Sequence, residues 1–300
     1  MSNLVERGGG PWPIANDETS IRDWLVQRIN SDVEKSEVLS VVGICLDFVS
    51  QKGRGERMIE GFKYSESLID RLALIGDGLA EGSPVQYLLK SAHFDGLDLF
   101  VDLHVLIPRP ETEELVFSIV ERLGEGFNGR VLDIGTGSGC IALSLKNRML
   151  KAEVFATDFS EPALKVASKN AESYNLKVAF ECSDILSEAP FIGQTFDAVI
   201  SNPPYIPFIE KKSMSSTVVD HEPSMALFVP DSEPLRFYQA IINHCKSELL
   251  LPGGLMAVEC HENFTEDVKD LIVSGMGFST VEILLDMQGK NRHVIAVKNV

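Results

Sequence analysis

Asn202-Pro203-Pro204-Tyr205, one residue beyond the apolar run Ala198 to Ile200, has the residue types needed to grip a planar nitrogen group. The run reads as a buried parallel strand, and two prolines without N–H donors end it. In an open α/β sheet, ligands sit beyond the carboxyl ends of strands. Asn202 offers one carbonyl acceptor and two N–H donors. The prolines fix their own φ and keep the preceding residue extended, so the Asn202 side chain and the Ser201 to Pro203 carbonyls have little freedom. Tyr205 adds a flat face. Together they make a slot for a planar group with an NH2 edge, either a carboxamide or an adenine amine. In isolation the four residues would read as a Pro-rich turn; the upstream sequence gives them more.

Arg130 to Leu143 reads as strand, tight glycine turn and helix, with Gly135, Thr136, Gly137, Ser138 and Gly139 as the turn. Such a turn brings backbone N–H groups and a helix N-terminus against a ligand. A dinucleotide loop would want glycine or alanine at Cys140. Asp133, just before the loop, is badly placed beside a pyrophosphate and well placed beside a cation such as a sulfonium amino acid, which favours S-adenosylmethionine over NAD. The next strand, Val154 to Thr157, ends at Asp158, roughly 20 residues beyond the loop, where an acid holds ribose hydroxyls. A third strand, Val178 to Phe180, leads to Asp184, expected at an adenine amine, and Ile185, expected at its face. Arg109, rigidly presented between Pro108 and Pro110, is expected at the mouth of the cofactor site.

The elements that must position these residues follow from periodicity. Gly8-Gly9-Gly10-Pro11 and Pro13 mark a lead-in. From Ser20 to about Ala80 the spacing is helical, with a weak Ser20/Asp23 capping box and Val38, Val42, Cys45 and Val49 on one face. Between Gly82 and Pro110 short extended runs, Leu97 to Phe100 and His104 to Ile107, flank the hairpin signal Asp95-Gly96. Pro110 and the acids after it suit the first turn of a helix. Beyond Asn202, the segment Pro207 to Pro234 reads as a long irregular flap facing the substrate. Helices are expected at 235–250 and 266–274, a strand at 255–259, and a terminal hairpin from Val281 to Leu285 and His293 to Val297. The domains expected are 1–82 (helical), 83–109 (β-hairpin linker) and 110–300 (catalytic). Cys260-His261-Glu262 has a lone adjacent His-Glu pair without a partner, and no metal is expected.

The chain has 300 residues, 44% of them hydrophobic, with 44 acidic and 27 basic side chains and a net charge of −17. That charge opposes a broad electrostatic grip on nucleic acid. Five scattered cysteines without a C-x-x-C pair fit a reduced intracellular protein. No apolar run approaches membrane length, and Met1 to Asp17 has neither a signal peptide's apolar core nor transit-peptide character. A cytoplasmic monomer without membrane contact is expected.

With these motifs in place, the chain resembles class I S-adenosylmethionine-dependent methyltransferases acting on planar amino or amide nitrogens. Within them it is similar to the HemK/PrmC family, the release factor glutamine methyltransferases. The resemblance runs from about Pro84 to the C-terminus. Its most specific stretch is Ile107-Pro108-Arg109-Pro110-Glu111-Thr112-Glu113-Glu114-Leu115-Val116, joined by Asp197 to Ile206, His221-Glu222-Pro223 and Gly289-Lys290-Asn291-Arg292. The family implies a seven-stranded doubly wound (Rossmann-like) α/β sheet, an N-terminal helical domain and a linking hairpin. It implies that Gly135 to Gly139 and Asp158 hold the cofactor, with Ile185 near the adenine. Asn202 would touch cofactor and substrate, while Pro203, Pro204 and Tyr205 complete the amide slot. The implied partner is a class I peptide chain release factor. The chain departs from the pattern in residues 1–80, in lacking an arginine pair before Gly82, at Asp231 to Pro234 and at Cys260-His261.

The chemistry expected is direct transfer of a methyl to a glutamine amide nitrogen, with the Asn202 side-chain oxygen and the Pro203 carbonyl accepting its two hydrogens. An adenine amino methyltransferase, a glutamine methyltransferase with another protein substrate, and a non-catalytic S-adenosylmethionine-binding scaffold are the alternatives.

Overall fold

A computed structural model describes residues 10–29 and 34–300. Gly8 and Gly9 of the expected lead-in lie outside the described residues. The chain divides into two compact units, Met1–Ser91 with Ser216–His221, and Ala92–Ser215 with Glu222–Val300.

The first unit is helical: α1 (Glu18–Ile29), α2 (Lys35–Ser50), α3 (Arg54–Glu60), α4 (Glu66–Ala80) and α5 (Val85–Leu89). The face drawn from the sequence, Val38, Val42, Cys45 and Val49, is buried with Ile21, Leu25 and Leu72. The cap of α1 differs from expectation. The Asp17 carboxylate, not Ser20, accepts, taking the Ser20 N–H at 3.0 Å and its hydroxyl at 3.2 Å, because the helix begins three residues earlier than the Ser20/Asp23 pairing assumed. Buried Arg57 is held by Glu18, which also takes the Tyr64 hydroxyl at 2.7 Å.

The second unit opens with a hairpin, β1 (Ala92–Phe94) and β2 (Leu97–Leu99), around Asp95-Gly96, both at positive φ, the backbone a two-residue turn demands. His104 to Ile107 is not a strand. Asp102 takes the His104 N–H through its side chain and the Val105 N–H through its carbonyl, closing a turn where a ladder would need those groups free. α6 (Pro110–Leu123) follows with Pro110 at its first position.

Next come β3 (Arg130–Ile134), α7 (Cys140–Arg148), β4 (Glu153–Asp158), α8 (Glu161–Ser173), β5 (Val178–Cys182) and β6 (Phe196–Ser201). The expected flap is not irregular throughout. It contains β7 (Ile206–Pro207), a 3-10 turn Phe208–Ser213, α9 (Ser216–His221), α10 (Ser224–Leu227) and β8 (Phe228–Val229), pieces too short to carry a periodic signal. The chain ends with α11 (Arg236–His244), a π turn to Leu249, β9 (Leu250–Glu259), α12 (Thr265–Ser274), β10 (Phe278–Leu285) and β11 (Asn291–Lys298).

The seven strands order as β10-β11-β9-β6-β3-β4-β5, parallel except where β11 pairs with its neighbours. Alternate residues face opposite layers. Val131, Ala198, Ile200 and Ala257 pack with Leu115 and Ile119 of α6 and Leu143 of α7. Leu132, Val199, Met256 and Val258 pack with Tyr238 and Ile241 of α11 and Val268 of α12. This is the expected doubly wound Rossmann-like α/β sheet. β3 to β5 run one way, and β6 returns to the other side of β3. The carboxyl ends of β3 and β6 therefore form the switch point where such sheets bind ligands.

The turn from β3 into α7 needs glycine most at Gly139. Its φ is +84°, and an added Cβ would lie 3.2 Å from Ala167 and from Leu143. Gly139→Ala is expected to destabilise the protein by about 1–2 kcal/mol from the left-handed backbone alone, read as a lower urea midpoint. An unchanged midpoint would contradict this packing.

Candidate active site

Strand register places the site. Ser201 pairs with Ile134 on one side and Val258 on the other. One residue further along the three strands stand Gly135, Asn202 and Glu259. The Ser201 hydroxyl donates to the Ile134 carbonyl at 2.7 Å, locking the two strand ends. Beyond them lies a cavity of about 400 Å³ lined by Arg109, Thr112, Gly135 to Ser138, Asp158, Asp184, Ile185 and Asn202 to Pro204, among others. That volume suits a small-molecule ligand.

The glycine turn is tied down from several sides. Gly135 and Thr136 N–H groups donate to the Thr157 carbonyl at 2.8 and 3.0 Å. Asp158 accepts Gly137 N–H at 2.8 Å and Ser160 N–H at 2.9 Å. Ser160 caps α8 through Ala163, so the cap does not depend on Asp158. Buried Asn170 holds the Ser138 carbonyl at 2.9 Å and pairs with Phe100 through both backbone groups. Asp158 stands in the wall with its pKa raised by burial.

Three expected contacts fall outside the cavity lining: Gly139, which sits at the N-cap of α7, Asp133 and Tyr205. Asp133 is fully buried and does not line the cavity. One of its oxygens accepts the Thr136 hydroxyl at 2.7 Å and the Ala142 N–H at 3.2 Å. Gly139 at the N-cap of α7 has no side chain, so Asp133 supplies the missing acceptor from the strand before the turn. Its other oxygen has no partner, and burial raises its pKa to about 7. Tyr205 likewise lies outside the cavity lining. Its ring is edge-on to His261 at 6.1 Å, and its hydroxyl donates to Glu259 at 3.1 Å.

Asp184 and Ile185 do line the cavity, but the Asp184 carboxylate accepts from Leu186 N–H and the Ser187 hydroxyl, closing its own turn. Arg109 lines the cavity and pairs with buried Glu222 at 2.5 Å; Glu222 also takes the Ile107 N–H at 3.1 Å. His261 reaches Glu210 at 3.1 Å, and no group of three metal-ligating side chains exists among the described residues.

The sequence did not mark Thr112 and Glu259 as functional. Asn202 Nδ2 donates to Thr112 Oγ1 at 3.0 Å, and Thr112 Oγ1 donates to Glu259 Oε2 at 2.7 Å. Glu259 is buried, which raises its pKa, while the hydrogen bonds from Thr112 and Tyr205 and the charge of Arg292 oppose the rise. The available signal was an acid closing an apolar strand, as Asp158 does, but its relevance depends on β9 lying beside β6.

Known proteins place this arrangement. A family model for the methyltransferase small domain matches residues 115–221. A release factor glutamine methyltransferase of Bacteroides thetaiotaomicron is 42% identical over 73% of this chain and 77% of its own length. Another, from Flavobacterium psychrophilum, is 34% identical over 91% of this chain and 96% of its own. The chain belongs to the release factor glutamine methyltransferase family. Among solved structures, a methyltransferase from Pyrococcus furiosus covers 68% of this chain and 90% of its own at 19% identity and a TM-score of 0.50, a likeness of fold. The Flavobacterium match corrects the expectation that similarity to release factor glutamine methyltransferases starts near Pro84, because 91% of the chain cannot be covered without entering the helical unit.

The buried carboxyl of Asp133 gives a signed prediction. Folded, it holds its proton to about pH 7; unfolded, it ionises near ~3.9. The folded state therefore binds the extra proton between these values, and this group's contribution to stability falls as pH rises from about 4 to about 7. Asp133→Asn removes that slope. The variant's melting temperature relative to the parent should climb across this window and then level; a constant difference would contradict the assignment.

Proposed function

We infer that the protein methylates the side-chain amide nitrogen of a glutamine, the Gly-Gly-Gln glutamine of a class I peptide chain release factor, using S-adenosylmethionine. The observation that carries this reading is Asn202-Pro203-Pro204 lining the same cavity as the glycine turn, at the switch point of the sheet.

The residues present fit the cofactor. Asp158 offers a carboxylate for ribose hydroxyls, and Gly135 to Ser138 bring backbone close. Ile185, Phe237 and Ile241 give apolar walls for a flat ring in a cavity of about 400 Å³. When bound, S-adenosylmethionine supplies an electrophilic methyl on a sulfonium. The protein's task is to hold the nucleophile. An amide nitrogen is weak because its lone pair is delocalised, so orientation and charge stabilisation carry the rate. Asn202 Oδ1 and the Pro203 carbonyl accept the two N–H bonds and stabilise positive charge developing on nitrogen. Pro203 and Pro204 fix the direction of those acceptors. Asp133 acts behind the glycine turn, holding its shape and adding negative charge near the cationic cofactor when ionised. Tyr205 acts through Glu259. Arg109 holds Glu222 at the rim.

All five cysteines are unpaired, and we assign the protein to the reducing cytoplasm. No helix among the described residues is long and apolar enough to cross a membrane.

Incubation of the protein with S-adenosylmethionine and a full-length class I release factor should add one methyl to the Gly-Gly-Gln glutamine, mapped by peptide mass spectrometry. Asn202→Ala should lower turnover about 10²–10³-fold, or about 2.7–4 kcal/mol, by analogy with removal of one oxyanion-hole donor, with cofactor affinity little changed. Turnover near the parent's would contradict the assignment.

A further inference from the structure

We propose that Thr112 and Glu259 are positioning residues that determine which end of the Asn202 amide faces the cavity. This rests on the reading that Asn202 stands at the transfer site.

The two ends of an Asn side chain are nearly the same size and opposite in chemistry: one is an acceptor, the other carries two donors. Rotation by half a turn would present N–H bonds to the N–H bonds of the substrate amide, abolishing the grip. Packing does not distinguish the two orientations, so hydrogen bonding must.

The order of donors in this network does so. Both Glu259 oxygens accept, Oε2 from Thr112 Oγ1 at 2.7 Å and Oε1 from the Tyr205 hydroxyl at 3.1 Å. A threonine hydroxyl has one proton. With that proton committed to Glu259, Thr112 Oγ1 can face Asn202 only as an acceptor, and Asn202 Nδ2 lies 3.0 Å from it. The amide nitrogen is thereby held toward the protein, which leaves Oδ1 for the substrate. Reversal would set Asn202 Oδ1 against the lone pairs of Thr112, in a site where both Thr112 and Glu259 are buried.

Each member comes from a different element. Thr112 lies in the first turn of α6, which Pro110 starts and in which the Thr112 N–H already bonds the Arg109 carbonyl. Glu259 ends β9, and Asn202 follows β6, its parallel neighbour. Tyr205 belongs to the same network, which gives the aromatic residue of the loop a task although it does not line the cavity.

The test compares the parent, Thr112→Val, Thr112→Ser, Asn202→Ala and the Val/Ala double variant. Readouts are kcat and KM for a class I release factor, and S-adenosylmethionine affinity by calorimetry. Thr112→Val keeps the shape and removes the hydroxyl. It should lower kcat about 10- to 100-fold, by analogy with residues that orient a metal ligand, with cofactor affinity unchanged. Thr112→Ser should restore most of the rate. On the Asn202→Ala background, Thr112→Val should cost nothing further, because its effect passes through Asn202. Thr112→Cys, a weak donor and acceptor of similar size, gives the same comparison if Thr112→Val does not fold. A parental rate for Thr112→Val, or an equal fold-loss on both backgrounds, would overturn the proposal while leaving the site standing. A parental rate for Asn202→Ala would overturn the site itself.

Discussion

One hydroxyl proton, that of Thr112, fixes the polarity of a hydrogen-bonded chain spanning α6, the loop after β6 and the end of β9. Parallel pairing brings Asn202 and Glu259 to one level, and α6 closes over them. A buried polar group that loses its partner costs about 1–3 kcal/mol, so the three elements are constrained together. The same interaction anchors architecture and chemistry. It joins α6, the first helix of the second unit, to the centre of the sheet, and it holds the side chain proposed to grip the substrate.

The reaction suits the neutral acceptors proposed at Asn202 and Pro203. A general base would do little for an amide whose lone pair is delocalised; what helps is an arrangement that becomes more favourable as charge appears on nitrogen. Asp158 and Asp184 line the cavity, whereas Asp133 and Glu259 are set behind its wall. Asp133 supports the glycine turn from beneath and caps α7, and Glu259 lies behind Thr112. Both have raised pKa values because both are buried.

Most of the sheet was legible from sequence because its strands are short apolar runs closed by Gly, Asp or Asn: Ile134 before Gly135, Thr157 before Asp158, Ser201 before Asn202. Each gives the strand and its functional end together. Where local hydrogen bonding competes with periodicity, sequence reading failed. Asp102 turns His104 to Ile107 away from a strand, and Asp17 starts α1 before Ser20. The segment around Pro207 to Pro234 hid its short elements because two to six residues carry no period. At the site, Asn202, Asp158 and the glycine turn could be found locally. Glu259 and Thr112 could not, since their importance rests on the adjacency of β6 and β9 and on the position of α6. Asp133 was noticed for the right reason, its place before the turn, but placed on the wrong side of it. A glycine N-cap leaves a helix start in need of an acceptor, and the nearest carboxylate is drawn inward to fill it. Tyr205 was read as a wall of the slot, whereas its hydroxyl finds Glu259.

The most direct measurement of the central claim is a crystal structure with S-adenosylhomocysteine and a Gly-Gly-Gln peptide, refined at a resolution that distinguishes the amide ends of Asn202 through their contacts. The account predicts Asn202 Nδ2 on Thr112, Oδ1 and the Pro203 carbonyl on the two substrate N–H groups, and the glutamine nitrogen directed at the cofactor sulfur. An Asn202 amide reversed toward Thr112, or a glutamine bound away from the Asn202 loop, would contradict it.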